Sequence, residues 1–89
     1  MPMQFQEHRA DRAELDAPVE VVAAFNRAGT PEPRSFHYGQ KRYSINSINL
    51  SYAVKQGANR LLVFHVSDDG GDRTLTFDTG TLQWKMHQT

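Results

Sequence analysis

Four histidines, ten acids and no cysteine set the limits of the chemistry open to this chain. The histidines, His8, His37, His65 and His87, never stand three or four residues apart, and no thiolate is available to complete a zinc set. If the strands carrying His37, His65 and His87 were neighbours, the three rings could meet across a sheet. All three alternate against the large apolar residues, so the expectation is three solvated strand residues and no metal. Asp68, Asp69 and Asp72 lie close together but lack the D-x-[DN]-x-[DN]-G spacing and the distant glutamate of a calcium loop, which leaves an acidic hairpin tip. No serine sits in a nucleophile elbow and no glycine run has phosphate-loop spacing. The expectation is therefore a non-enzyme with no cofactor.

Charge position says more than charge total. Ten basic and ten acidic residues cancel. Yet from Arg34 to Val66 there are five basic residues and no acid, while residues 1–32 carry six acids against three bases. Arg34, Lys41, Arg42, Lys55 and Arg60, with His37, Tyr38 and Tyr43 close by in sequence, give the basic and aromatic mixture with which small barrels bind single-stranded nucleic acid. The candidate contact set is Arg34, His37, Lys41, Arg42, Lys55 and Arg60. The competing reading places the aromatics in a core with lysine and arginine covering the outside.

These groups need elements to hold them. Eighty-nine residues make one domain, because two cores of half that size would not offset the entropy of ordering their chains. Residues 1–18 form a polar N-terminal segment, loose or folded over a sheet edge with Phe5 and Leu15 as anchors; residues 19–89 form a single small β domain. The absence of cysteine, of an apolar leader and of any long apolar run points to a cytosolic, bacterial-type setting without membrane contact.

Val19, Val21, Ala23 and Phe25 alternate as in a strand, although Asp16 as N-cap, Pro18 in a first turn and Gly29 beyond would also suit a helix over 17–28. Three valines favour the strand. After the break at Gly29–Pro33, Phe36 and Tyr38 alternate, Gly39-Gln40 turns, and Tyr43 and Ile45 continue. The phase then slips, and Ile48, Leu50, Tyr52 and Val54 form the next series, which predicts one bent strand or two strands meeting at Asn46-Ser47. Gln56–Asn59 turns. Leu62, Phe64 and Val66 form a strand apolar on both sides at its start, read as central. Asp68–Asp72 is a hairpin turn, Leu75 and Phe77 alternate, Thr79-Gly80 turns, and Leu82, Trp84 and Met86 close the series.

The run VEVVAAFNRAGTPEPRSFHYGQKRYSINSI, the later LLVFHV and the terminal LQWKM resemble short bacterial proteins of a domain family with no assigned function, over about Val19–Met86. The resemblance implies an all-β fold, tips Val19–Phe25 towards strand, and carries over no catalytic residue.

The expected fold is all-β (α+β if 17–28 is helical): an antiparallel meander of five or six strands curved into a small, partly open barrel. Its expected core draws on Phe25, Phe36, Tyr43 or Ile45, Leu50, Phe64, Val66, Phe77, Leu82 and Trp84. The expected function is a non-catalytic module presenting a sheet face or edge to a macromolecular partner. Nucleic-acid binding through residues 34–60 is the alternative, and a small-ligand binder or enzyme with a cavity at the barrel mouth the third reading. Unpaired sheet edges and zero net charge also suggest a homodimer.

Overall fold

The structure, a computed structural model, describes residues 16–87. The expectations for the N-terminal segment lie outside the described residues, except that Asp16, Ala17 and Pro18 already belong to the first strand. Seven antiparallel strands follow one another: β1 Asp16–Phe25, β2 Pro31–Tyr38, β3 Lys41–Ser44, β4 Ser47–Gln56, β5 Asn59–Asp68, β6 Gly71–Asp78 and β7 Gln83–His87. They form one curled sheet in the order β3-β2-β1-β7-β6-β5-β4, so the described residues are all-β and shaped as a partly open barrel. The strand count exceeds the expected five or six because Ile45 and Asn46 separate two strands where the sequence also allows one bent strand.

The turn chemistry explains most of the connections. Gly39 (φ 65°) and Gly57 (φ 60°) each take the first central position of a two-residue hairpin, between Tyr38 and Lys41 and between Gln56 and Asn59. That backbone suits a type II′ turn, where a Cβ would be strained. Between β1 and β2, the Asn26 side chain accepts from the Ala28 and Thr30 amides at 2.9 Å each, closing a loop of its own.

β1 is the corner of the fold. Its first part pairs with β7, from Asp16 opposite His87 to Val19 opposite Trp84. Its second part pairs with β2, from Glu20 opposite His37 to Phe25 opposite Pro31. The register shifts between Val22 and Ala23, where Arg34 is the extra residue on β2, and such a bulge bends the strand. The three-stranded limb β1-β2-β3 thereby turns over the five-stranded limb.

The phase slip in the sequence resolves into two strands sent to opposite edges. Ile45 and Asn46 alone join β3 to β4, and they pin the two limbs together. The Ile45 amide donates to the Arg34 carbonyl (2.9 Å), and the Asn46 amide to the Ser67 carbonyl (2.8 Å). The sheet is drawn closed at that end by a link, without a β3–β4 ladder.

Phe36, Phe64, Val66, Leu75, Phe77 and Met86 form the core, with Val19, Val21, Tyr43, Ile45, Leu62 and Trp84 packed around it half-buried. Trp84 tilts against Phe77 (4.8 Å between centroids) and Phe64 (5.7 Å). Three expected core residues are exposed instead: Phe25 at 66%, Leu50 at 56% and Leu82 at 69%. Phe25 ends β1 beyond its pairing with β7, so only β2 flanks it. Leu50 stands opposite His65 on the outer face of an edge strand. Leu82 lies in the β6–β7 turn at φ 62°, not in β7. Leu75, Met86 and Val63 are buried in their place. β5, read as central, is next to the edge; its outer-face Val63 is nonetheless buried, flanked by Tyr52 and Thr76.

Candidate interaction surface

Cross-strand partners share a face, so the register places every candidate side chain. Lys55 stands directly opposite Arg60 near the tip of the β4–β5 hairpin, and both are exposed. They share the inner face with Leu62 and Phe64. His37 lies between Glu20 and Arg42 on the outer face of the other limb. Lys41 is on the opposite side of β3 from Arg42, its Nζ 5.1 Å from the Tyr43 ring centroid. Arg34 projects from the β2 bulge and meets Glu32 in an exposed ion pair at 3.5 Å. The six candidates therefore fall into separate groups: the Lys55–Arg60 pair, the His37–Arg42 pair, Lys41, and an Arg34 already matched to an acid.

His37, His65 and His87 sit where the alternation puts them, on the outer face, and His8 lies outside the described residues. His65 and His87 flank Thr74, each directly across from it on neighbouring strands, while His37 is on the far limb. His65 Nδ1 shares a hydrogen bond with Thr74 Oγ1 (3.1 Å), and Tyr52 Oη approaches its Nε2 at 3.4 Å. His87 Nε2 shares one with Thr76 Oγ1 (3.2 Å). Among the described residues no three His, Asp or Glu side chains are grouped to hold a metal.

The acidic hairpin is spent on structure. Asp68 is buried; its Oδ1 accepts from the Gly70 amide (2.6 Å) and its Oδ2 from Arg73 Nε (3.1 Å). Asp69 accepts from Asn46 Nδ2 (3.0 Å) and Asp72 from Ser67 Oγ (2.7 Å). The loop thus fastens the link between the limbs. A cleft of ≈ 350 Å³ on the outer face is lined by Gln56, Leu61, Thr76, Asp78, Gln83 and Lys85 among others. Its one carboxylate, Asp78, uses Oδ1 to accept the Gly80 (2.7 Å) and Thr81 (3.2 Å) amides, as a turn cap does.

The two sheet edges are built differently. The edge at β3 is short, with four residues, and carries Lys41 and Arg42. β3 covers β2 only over Ser35–Tyr38; past it, β2 offers Pro31 and Pro33, which have no amide to donate. Short length, lysine and proline are the usual protections of an edge against a further strand. β4 is neither short nor interrupted by proline, and its one lysine stands next to its end. It runs for ten residues, SINLSYAVKQ, all exposed, with no proline and Lys55 as its single charge.

Its free hydrogen-bonding groups can be named. Gln56 and Asn59 flank the two-residue turn, so they form a narrow, doubly hydrogen-bonded pair, and alternate pairs along the hairpin follow suit. The peptide groups of Leu50, Tyr52 and Val54 then face β5. Those of Ser51, Ala53 and Lys55 face outward. The ladder is regular from Leu50 to Gln56 and broken at Asn49, whose side chain bonds to Ser47 and Ser67 instead. On the outer face Leu50, Tyr52 and Val54 stand opposite His65, Val63 and Leu61, so an apolar stripe borders the open edge. The sequence shows this stripe as an alternating series; what it does not show is that no strand of the described residues covers it.

Among the described residues no helix is long and apolar enough to cross a membrane. No protein-family model, curated protein or solved structure matches this chain.

Proposed function

We propose that this chain is a non-catalytic interaction module that takes an extended segment of another polypeptide along β4. The observation that carries this reading is the contrast between a ten-residue exposed edge without proline and an opposite edge guarded by Lys41, Arg42, Pro31 and Pro33. Main-chain bonds to Ser51, Ala53 and Lys55 would supply affinity, and the Leu50–Tyr52–Val54 stripe would select apolar side chains at alternate positions. The proposed setting is the bacterial cytoplasm, where the absence of disulfides is ordinary.

Selection of extended nonapeptides from a random display library tests the reading. Enriched peptides should have alternating β-branched or aromatic residues, and Ala53→Pro should abolish their binding while the β4–β5 ladder stays intact, because the Ala53 amide faces away from β5. Failure to enrich any peptide, or binding indifferent to Ala53→Pro, would overturn it.

Nucleic-acid contact is the second reading, supported by the Lys55–Arg60 pair. Like charges directly opposite each other cost stability, and an anion bridging them would relieve the cost. Fluorescence anisotropy with single-stranded oligonucleotides at two salt concentrations decides it. Steeply salt-dependent binding lost on Lys55→Glu with Arg60→Glu would support contact with phosphates. No binding at low salt would remove this reading.

A further inference from the structure

Resting on the edge-docking reading, we infer that the segment β4 takes is β4 of a second copy, paired antiparallel about a twofold axis at Tyr52. In an antiparallel pair, residues opposite each other must both turn their peptide groups towards the partner or both turn them away. Two identical strands can then meet only in registers centred on a residue, never between residues. Centring on Tyr52 sets Tyr52 against its own copy, Leu50 against Val54, and Ser51 against Ala53.

Centring on either of the two residues C-terminal to Tyr52 whose peptide groups face outward is worse. Centring on Lys55 places two lysines face to face, a repulsive arrangement in a sheet. Centring on Ala53 sets Leu50 against Gln56 and breaks the apolar stripe. With Tyr52 at the centre, Ser51 and Ala53 of each copy make narrow pairs, giving about four new backbone hydrogen bonds. Lys55 then falls across from Asn49, where the bulge ends the regular ladder. The outer-face residues Leu50, Tyr52 and Val54 of the two copies join into one apolar surface, bordered by Leu61 and Val63 from each β5. The strand is thus self-complementary in polarity, and the lysines of the two copies are kept apart. The formal net charge of zero adds no long-range repulsion between copies. A C2 contact of this kind is isologous, so it closes and leaves only the two guarded edges outside. The result is one continuous sheet spanning both copies.

The absence of cysteine makes the test direct. Light scattering on the full chain should give twice the chain mass at micromolar concentration, and Ala53→Pro should return it to one chain. Under mild oxidation Tyr52→Cys should cross-link to its own copy, since wide antiparallel pairs bring Cα atoms to about 4.5 Å, within disulfide reach. Leu50→Cys alone should not cross-link, whereas Leu50→Cys with Val54→Cys should. A dimer that cross-links through Ala53→Cys but not Tyr52→Cys would overturn the register. A single-chain mass at every concentration would overturn the second copy as occupant. A monomer that still binds the display-selected peptides in an Ala53-dependent way keeps the edge reading and rejects only the dimer. A monomer that binds none rejects both, and points to residues 1–15 of the chain itself as the cover.

Discussion

Arg73 donates through Nε to Oδ2 of Asp68 at 3.1 Å, and the same guanidinium lies 4.8 Å from the centroid of the Tyr43 ring. Two neighbours on one hairpin thereby reach across the interior to the opposite limb. Tyr43 in turn stacks on Phe36, with centroids 5.0 Å apart and planes within 10°. The ion pair is sheltered, with the Asp68 side chain 1% exposed. Asp68→Ala leaves the partly buried Arg73 without its counter-charge and the Gly70 amide without its acceptor, so it should cost about 3 kcal/mol, the low end for a buried pair. Urea unfolding measures this. Arg73→Met combined with Asp68→Leu should recover much of the loss, because the charges then leave together.

Leu82 holds a left-handed backbone (φ 62°) with its side chain exposed. A branched side chain there is strained by roughly 1–2 kcal/mol, while its burial contributes little. Leu82→Gly should therefore raise stability by about 0.5–1 kcal/mol after the added unfolded-state freedom of glycine is counted. A higher midpoint in thermal unfolding is the expected result.

The two apolar series should respond differently to truncation. Leu75 is fully buried, and Leu75→Ala should cost about 2–5 kcal/mol through lost transfer energy and a cavity. Leu50→Ala on the open stripe should cost less than about 1 kcal/mol in the isolated chain. Comparing their denaturation midpoints under conditions where light scattering gives one chain separates the core from the stripe.

Lys55→Glu replaces a like-charge cross-strand pair by an opposite one with Arg60. The hairpin should gain roughly 0.2–1 kcal/mol, less at high salt. Equal stability of the two proteins at low ionic strength would mean that the two side chains turn apart in solution.

Much of this was legible in the residues, and the gaps have physical causes. Period-two alternation and glycine-bearing turns are local signals, so the strands around Gly39 and Gly57, the phase slip before β4 and the outward face of the histidines could be read directly. Whether an alternating series is covered depends on strand order, which no local signal carries. Leu50 and Leu62 look alike in sequence, yet one lies on an edge and the other beside the core. Leu82 continues the parity of Trp84 and Met86 but belongs to a turn closed by its own amide on the Asp78 carbonyl (2.7 Å). The basic stretch 34–60 is continuous in sequence, while the register scatters it over both faces and both limbs. The unguarded character of β4 was readable as composition, one charge and no proline in ten residues, but only the strand order turns composition into an open edge.

Residue-resolved amide exchange along β4, followed as the protein is diluted, tests the docking edge most directly. Leu50, Tyr52 and Val54 donate to β5 and should exchange slowly at every concentration. Ser51 and Ala53 face outward; they should exchange fast in the dilute chain and slow down as concentration rises and copies pair. Slow exchange at Ser51 and Ala53 in the most dilute sample, equal to that at Leu50 and Tyr52, would contradict the account, since the edge would already be covered within one chain.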